Sequence, residues 1–513
     1  MRNKIDTLLR LSCCAVITAA LTACGGTSTG STSSTTSATT TAATTTATGA
    51  ATTSGTTTAA TGAGTTSGAT TAATGAGKTS STTTAATGTA TSATTPPTSS
   101  TSTSATIGTS TLLPPTTTTT STSTTSTSTP PTTSSSNLSI KVSGNHLVDG
   151  DGNAIQLRGV NLGGLEGIPW SSDPWRGEAP DFTAIKSWGI NVVRFTLSEA
   201  NWLGLCSQTL SFGETPAVYL STIQTAVAQA NAQGIYVILD LHYIAVPNTC
   251  PQGQNAMADV QYSPTFWSQV AAAFKNNPAV LFELFNEPQG NYPPTTADWN
   301  NYVKGGLTGS QDVGTQQLLT AIRSTGSTNV VLVDGLDYAA TFGNNNNPTI
   351  GNDQSPGFIL PTDTLNPAQL AAAQHYYNGS EYETGANAVL AKGTPILVTE
   401  YGDDVNATTD PDTTSLYAWA DPGGRASQAL TAAGQDGASF PGVSYVAWVW
   451  AWGGGWYGGQ GYNNWSLIQA ANGTLFSPSA YPALGNSSTA PTAYAAEVHS
   501  HYLCRVAGTA NCQ

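Results

Sequence analysis

The sequence predicts an α/β protein, a (β/α)8 TIM barrel preceded by a disordered low-complexity tether. Two observations support this. Eight apolar segments alternate with helical segments in the C-terminal part of the 513-residue chain. The segment before them is almost entirely Thr, Ser, Ala and Gly, so it has too little apolar surface to offset the entropy lost on folding. We therefore divide the chain into residues 1–23, 24–136 and 137–513.

The first 23 residues have the pattern of a secretory signal. A positively charged start precedes the apolar run Leu11–Leu21, which is too short to span a bilayer as a mature helix. The run ends in Leu21-Thr22-Ala23-Cys24, which resembles the lipobox of bacterial lipoproteins. The resemblance implies cleavage before Cys24 and lipid attachment to its sulfur, and ordinary signal cleavage is the alternative. We expect an exported protein, either a cell-surface or outer-membrane lipoprotein or a secreted one, which contacts the membrane through its lipid only.

The charge of the chain limits its partners. The formal net charge is −14, and it falls almost wholly on residues 137–513 because Lys78 is the only charged residue of the tether. An acidic surface argues against nucleic-acid and anionic membrane partners. We expect a monomer.

Four cysteines follow Cys24, and in an exported protein they favour two disulfides. Three connectivities are possible, and we favour Cys206–Cys250 and Cys504–Cys512. No Cys/His cluster has metal-ligand spacing, so the sequence predicts no catalytic metal and no other cofactor.

The eight predicted strands follow a hairpin-like segment, His146–Asn153, whose turn is Asp149-Gly150-Asp151-Gly152. Most of them are continuously apolar, as expected for parallel strands that are covered on both faces. In chain order they are Ile155–Asn161, Ile190–Leu197, Ile235–His242, Ala279–Asn286, Asn329–Asp334, Ala371–Tyr377, Ile396–Tyr401 and Val443–Trp450.

Helical patterns lie between these strands. Ser263-Pro264 has the composition of a helix cap and first turn. A doubly wound open sheet is the alternative architecture, but no Gly-rich dinucleotide fingerprint follows any strand. The predicted helices are Val218–Gln233, Phe266–Lys275, Val313–Arg323, Ala386–Ala391, Ala426–Ala433 and Pro491–Leu503.

Polar residues recur at the C-terminal ends of the predicted strands. In a barrel these ends converge on one face, where active sites lie. The residues are Asn161, Arg194, His242, Asn286, Glu287, His375, Tyr377, Glu400 and Trp448.

Two of these strands end in a glutamate. One runs Val280-Leu281-Phe282-Glu283-Leu284-Phe285-Asn286-Glu287-Pro288, and the other runs Pro395-Ile396-Leu397-Val398-Thr399-Glu400-Tyr401-Gly402. Over roughly residues 140–503 the chain resembles glycoside hydrolase family 5. The resemblance implies that Glu287 is the acid/base and Glu400 the nucleophile of a retaining enzyme, in which two carboxyls lie about 5–5.5 Å apart. We expect Glu400 to be ionised and Glu287 to be protonated at rest. Glu283, within the strand, is expected to be structural.

The resemblance implies supporting roles for three further residues. Arg194 matches the second-strand arginine of the family and is expected to donate to Glu400, since a buried charge needs a partner. His242, in Asp240-Leu241-His242, is expected to line the sugar subsite beside the cleavage point. Asn286 is expected to contact the sugar 2-hydroxyl.

The sixth and eighth strands complete the resemblance. His375-Tyr376-Tyr377 matches a His-x-Tyr motif, in which His375 lies near Glu287 and Tyr377 hydrogen-bonds Glu400. The eighth strand of the family places a tryptophan under the bound sugar, and Trp448 aligns best with it. Trp450 and Trp452 share its strand parity, so the sequence leaves the choice among the three open.

The resemblance therefore implies a retaining β-glycoside hydrolase, an endo-β-1,4-glucanase, whose partner is a β-glucan polysaccharide such as cellulose. An endo-β-mannanase or another family 5 β-glycanase is the alternative within the same chemistry. A surface protein that binds polysaccharide without cutting it is the alternative from a different class, as is a structural lipoprotein.

Overall fold

The computed structural model describes most of the predicted barrel domain. The described residues are 138–166, 179–205, 215–246, 249–343, 357–377, 379–402, 412–451, 466–468, 472–475, 493–509 and 512. The signal, Cys24 and the tether lie outside them.

A small antiparallel sheet precedes the barrel. It consists of β1 (Ile140–Ser143), β2 (His146–Asp149) and β3 (Ala154–Ile155), with β2 in the middle. The turn between β2 and β3 is held by Asp149, whose Oδ1 accepts the backbone N–H groups of Asp151 and Asn153. The predicted hairpin is confirmed. Strand β1, which pairs with β2, was not predicted.

Eight parallel strands form a closed barrel, and the pairing of β5 with β6 closes it. This closure excludes the doubly wound open sheet. A further strand, β7 (Thr249–Gly253), pairs antiparallel with the long end of β6. The barrel strands are β4 (Arg158–Leu162), β5 (Val192–Ser198), β6 (Tyr236–Val246), β8 (Val280–Glu283), β9 (Val331–Asp334), β10 (Leu370–Tyr376), β11 (Ile396–Tyr401) and β12 (Ser444–Ala447).

Helices follow most strands, and all six predicted helices are present with bounds shifted by a few residues. Helices α1, α2, α5 and α8 were not predicted. In chain order the helices are α1 (Phe182–Ser187), α2 (Glu199–Leu203), α3 (Pro216–Ala232), α4 (Ser263–Phe274), α5 (Thr296–Lys304), α6 (Thr315–Ser324), α7 (Glu383–Ala391), α8 (Asp412–Ala420), α9 (Arg425–Ala432) and α10 (Ala493–Val506).

The start of α4 differs from the prediction. Ser263-Pro264 does begin the helix, but the N-cap residue is Tyr262 and no side chain caps it. The Ser263 hydroxyl donates instead to the buried carboxyl group of Glu199, at 2.6 Å. The local sequence predicts that this hydroxyl caps the helix, but in the folded protein it forms a tertiary hydrogen bond instead.

The fourth strand is shorter than predicted. The sequence indicates Ala279–Asn286, whereas β8 ends at Glu283. The Trp267 indole donates to the carbonyl of Leu284 at 2.9 Å, and Glu287 has a left-handed φ of 52°. The chain thus leaves the strand geometry before it reaches Glu287.

The apolar residues form two main clusters. The larger one lies between the strands and the helices. The second contains inward-facing residues of the barrel together with Ile140 and Leu147 of the small sheet. The Ile140 amide donates to the carbonyl of Pro278, just before β8, so this sheet covers the N-terminal end of the barrel. The opposite end carries the polar residues.

The last helix, α10, packs on the strands through buried tyrosines. The Tyr494 hydroxyl lies 3.0 Å from the carbonyl oxygen of Tyr401 and 2.7 Å from that of Trp448. The Tyr502 hydroxyl donates to the carbonyl of Gly159 at 2.7 Å.

Within the described residues, no helix has both the length and the apolar character needed to cross a membrane.

Candidate active site

Glu287 and Glu400 meet at the C-terminal end of the barrel. Glu287 lies four residues beyond β8, and Glu400 lies in β11. One carboxylate oxygen of each residue and a ring nitrogen of His375 all lie within 4.8 Å of one another. This separation agrees with that of retaining glycosidases, in which the two carboxyls are about 5–5.5 Å apart.

The burial of these two carboxyls is uneven. The Glu287 side chain is 14% exposed, and that of Glu400 is 6% exposed. Burial raises the pKa of Glu287 above its ordinary value, because the charged form loses hydration, while a hydrogen bond from Gln254 opposes this shift. The direction is the one required of a general acid.

Arg194 is the cation at the centre of the site. It is fully buried in β5, and its Nη1 lies 2.6 Å from Oε1 of Glu400. Its Nε donates to Oε2 of Glu283, also at 2.6 Å, and its Nη2 lies 3.0 Å from Oδ2 of Asp240. One guanidinium thus contacts three carboxyl groups, and the expected contact with Glu400 is present.

Two amides complete the shell of Arg194. Oδ1 of Asn161 accepts from Nη1 at 3.0 Å, and Oδ1 of Asn286 accepts from Nη2 at 2.8 Å. The Asn286 side chain is therefore held in one orientation. Its contact with a sugar 2-hydroxyl stays a prediction.

His375 and Tyr377 lie where the sequence places them. Nδ1 of His375 is 3.0 Å from Oε1 of Glu287 and 3.6 Å from Oε2 of Glu400. Burial lowers the pKa of His375 to about 4, so the ring is neutral at neutral pH. The Tyr377 hydroxyl donates to Oε2 of Glu400 at 3.1 Å, and burial beside Glu400 raises its pKa well above the ordinary value. Tyr377 therefore keeps the proton that it donates.

His242 and Trp448 form one wall of the site. Their rings are stacked, with centroids 6.0 Å apart and an interplanar angle of 8°. Nδ1 of His242 lies 2.8 Å from Oδ2 of Asp240, whose pKa burial raises to about 7 against the opposing charge of Arg194. This contact fixes the histidine ring.

The structure separates two of the three candidate platform tryptophans. Trp450 is 2% exposed and meets Trp188 edge to face, with centroids 4.8 Å apart, so it belongs to the core. Trp448 borders His242 at the mouth, and Trp452 lies outside the described residues. Among the described candidates the geometry favours Trp448.

A model of the family described as Cellulase (glycosyl hydrolase family 5) matches residues 148–452, which is more than half of the chain. This chain belongs to glycosyl hydrolase family 5. The matched region contains every strand of the barrel and both glutamates.

Individual proteins that are similar to this chain share only modest sequence identity with it. An endoglucanase A of Butyrivibrio fibrisolvens is 26% identical over 270 residues, which are 51% of this chain and 52% of that protein. A mannan endo-1,4-beta-mannosidase of Streptomyces lividans is 24% identical over 322 residues, 62% of this chain and 67% of that protein. The chain spans about half or less of the length of the first curated relatives that it matches. A crystal structure of the catalytic domain of a Thermobifida fusca endoglucanase is 16% identical, with a TM-score of 0.40 over 71% of this chain and 97% of that one.

Sequence reasoning missed two residues that contact Glu287, the predicted acid/base. Asp334 ends β9, and its Oδ2 accepts the backbone N–H of Glu287 at 3.2 Å. The strand-end rule that identified the other residues applies to Asp334 as well. Gln254 follows β7, and its side-chain amide donates to Oε2 of Glu287. No sequence signal marks Gln254, because an antiparallel extension brings it to the mouth.

Two triads in the described part of the chain have ligand atoms close enough to hold a cation. They are Glu283, Asp334 and His375, and Glu287, His375 and Glu400. Both lie in the carboxylate cluster that Arg194 already enters, so the chain supplies a cation of its own there. The expectation that the protein needs no metal stays a prediction.

The cysteine predictions are partly tested. Cys504 and Cys512 form the predicted disulfide, with Cα atoms 5.5 Å apart. Cys206 and the side chain of Cys250 lie outside the described residues, so their pairing stays a prediction.

Proposed function

We propose that this protein is a retaining endo-β-1,4-glucanase that cleaves internal bonds of cellulose or a related β-glucan by double displacement. One observation carries the proposal. Oxygens of Glu287 and Glu400 lie within 4.8 Å of each other at the C-terminal face of the barrel, and burial raises the pKa of Glu287.

In the first step the protonated carboxyl of Glu287 gives its proton to the glycosidic oxygen. The bond between the anomeric carbon and that oxygen breaks, and a carboxylate oxygen of Glu400 forms a bond to the anomeric carbon. The leaving chain departs as a neutral alcohol, and Glu287 is left ionised. The product is a covalent glycosyl–enzyme intermediate.

In the second step the ionised Glu287 takes a proton from water. The water oxygen attacks the anomeric carbon, and the bond to Glu400 breaks. Two inversions leave the β configuration unchanged, and Glu287 regains its proton for the next cycle.

The neighbours of Glu400 keep it reactive and fixed. Arg194 donates at 2.6 Å and Tyr377 at 3.1 Å to different oxygens of the carboxylate. These charge-assisted contacts favour the ionised nucleophile and hold its orientation. Trp448 and His242 offer a ring surface on which a sugar can stack.

The relatives support the substrate class. Several are named endoglucanases, which favours a β-1,4-glucan. The Streptomyces lividans relative is named for mannan, and it supports endo-β-mannanase as the second candidate. Both candidates use the same two glutamates.

The first test is release of reducing ends from carboxymethylcellulose. Glu287→Gln and Glu400→Gln should each retain the fold and lose nearly all hydrolysis, since each removes one half of the carboxyl pair. Asp436→Asn is the matched control, because Asp436 is exposed and precedes β12 at the opposite end of the barrel. Wild-type rates in the Glu287→Gln variant would overturn its assignment. Binding of glucan by the wild type without cleavage would support the non-catalytic alternative.

Two further measurements define the activity. Rates on carboxymethylcellulose, lichenan and mannan distinguish glucanase from mannanase, and a viscosity drop ahead of reducing-end release indicates internal cleavage. An NMR time course should show the β-anomer first. Initial release of the α-anomer would contradict the retaining mechanism.

We also propose that the protein is exported and held at the cell surface by lipid on Cys24, with two disulfides and as a monomer. The lipobox-like Leu21-Thr22-Ala23-Cys24 and the Cys504–Cys512 disulfide support export. Cys24→Ser should move the enzyme from the membrane fraction to the soluble fraction. An unchanged distribution would refute lipid anchoring.

A further inference from the structure

We propose that Gln254 is a positioning residue of this reaction: its side-chain amide holds one oxygen of Glu287 and favours the ionised carboxylate that remains after proton transfer. The inference rests on the proposed function, since it concerns the role of Glu287. Nothing in the motifs of the barrel strands singles out Gln254.

Both oxygens of Glu287 have a partner in the site. Nδ1 of His375 lies 3.0 Å from Oε1, and Nε2 of Gln254 donates to Oε2. An amide nitrogen has donors only, so this contact fits a carboxylate oxygen and not the oxygen that carries the acid proton. It is strongest when Glu287 is ionised.

Gln254 is held in place by its own segment. It directly follows β7, and the Gln289 amide donates to the carbonyl of Ala256 at 2.8 Å. Met257 and Ala258 are buried, and the carbonyl of Ala258 accepts from the Val313 amide at 2.9 Å. The segment is therefore tied to the loop that follows Glu287 and to the start of α6, which limits the freedom of the glutamine.

Other groups also bias the protonation of Glu287. The nearby carboxylates favour its neutral form, whereas Arg194 and the polar ring groups favour its charged form. The titratable groups around Glu287 are Arg194, Asp240, His242, Asp334, His375, Tyr377 and Glu400.

Gln254 adds a neutral donor to this set. Burial raises the pKa of Glu287, and the hydrogen bond from Gln254 is the largest effect that opposes the rise. A general acid works best when its pKa lies near the working pH. Gln254 thus keeps a buried acid able to release its proton.

The reaction step affected is cleavage of the bond to the leaving group. As that bond breaks, the proton of Glu287 passes to the leaving oxygen and negative charge develops on the carboxylate. The amide of Gln254 stabilises that charge. Its contribution is therefore greatest for a sugar leaving group, which needs the proton, and least for a dinitrophenolate, which does not.

The test compares Gln254→Met with the wild type. Methionine has a similar length and no N–H donor. The alkaline limb of kcat/KM should move to higher pH by about one unit, because the ionised form of Glu287 has lost a donor. On cello-oligosaccharides kcat should fall about tenfold or more, while the rate on dinitrophenyl β-cellobioside stays within about threefold of wild type. Gln254→Glu, which adds a like charge, should move the limb further in the same direction.

Gln261→Met is the matched control. Gln261 lies seven residues further along the same loop, is exposed, and its amide faces only the Tyr262 hydroxyl among the described contacts. It should change neither the pH profile nor the ratio of the two substrates. Melting temperatures of all variants report any general loss of structure.

The outcomes separate the inference from the function on which it rests. If the wild type cleaves no polysaccharide, the proposed function fails. If the wild type is active and Gln254→Met keeps its pH profile and substrate ratio, the inference alone is wrong. A limb that moves to lower pH would also overturn the inference. The amide oxygen of Gln254 would then be accepting a hydrogen bond from the protonated carboxyl of Glu287.

Discussion

The buried carboxyl group of Glu199, away from the active site, predicts how the stability of the fold depends on pH. Glu199, at the start of α2, is buried, and its Oε2 accepts the Ser263 hydroxyl at 2.6 Å. Burial, with the nearby charge of Asp259, raises its pKa from 4.5 to about 9. Glu199 is therefore protonated in the folded protein at neutral pH and ionised in the unfolded chain.

The change is Glu199→Gln, which keeps the shape and the neutral charge of the protonated side chain. A raised folded pKa gives stability that is fully present below the unfolded pKa and is lost as pH rises through the folded one. At pH 7, roughly 2.5 units above the unfolded value and at about 1.36 kcal/mol per unit, the wild type has lost about 3 kcal/mol. The amide does not titrate, so the variant should be more stable by up to this amount.

The assay is thermal unfolding at several pH values. For roughly 370 residues at about 2.1 cal/mol/K each, a gain of about 3 kcal/mol raises Tm by about 4 °C at pH 7. The gain should vanish near pH 4.5. The same acid-to-amide change at Asp151, which is exposed in the hairpin turn, should leave the pH dependence of Tm unaltered. A variant that is less stable than wild type at pH 7, or a gain independent of pH, would refute the reasoning.

Four other substitutions test the site and the core beside it. Arg194→Met should abolish hydrolysis and reduce the free energy of unfolding by about 3–5 kcal/mol. A chemical-denaturation series should show a smaller loss at pH 5, because burial raises the pKa of Asp240 to about 7 and that carboxyl is then protonated. Tyr377→Phe should lower kcat about ten- to a hundredfold by removing a donor to Glu400, with little change in Tm, and an unchanged kcat would argue against that contact. Trp448→Ala should raise KM about fivefold, whereas Trp450→Ala should cost about 3–5 kcal/mol of stability because it leaves a cavity in the core. If Trp448→Ala lost stability and kept a normal KM, Trp448 would belong to the core and would not be the sugar platform.

The barrel was predictable because its strands are continuous apolar runs and their polar residues fall at one end. Their positions at strand ends predicted that Glu287, Glu400 and Arg194 lie close together, although they are far apart in sequence. The bounds were less predictable, as β8 shows. Its apolar run continues past Glu283, but the Trp267 indole takes the next carbonyl and the strand ends.

Contacts between segments that are distant in the chain could not be predicted from the sequence. Glu199 and Asp259 are sixty residues apart, and only the docking of α4 against α2 brings both within reach of the Ser263 hydroxyl. Gln254 reaches Glu287 through an antiparallel extension of β6 that has no counterpart in the barrel pattern. Trp448 and Trp450 share strand parity, and only the position of Trp188 shows which of them is core.

The Tyr494 hydroxyl lies within hydrogen-bonding distance of the backbone just after Glu400 and of Trp448. The ends of β11 and β12 therefore depend on a helix that follows both strands in the chain. During synthesis Glu400, the proposed nucleophile, emerges well before Tyr494. We accordingly expect a nascent chain to have no competent catalytic centre until α10 has docked.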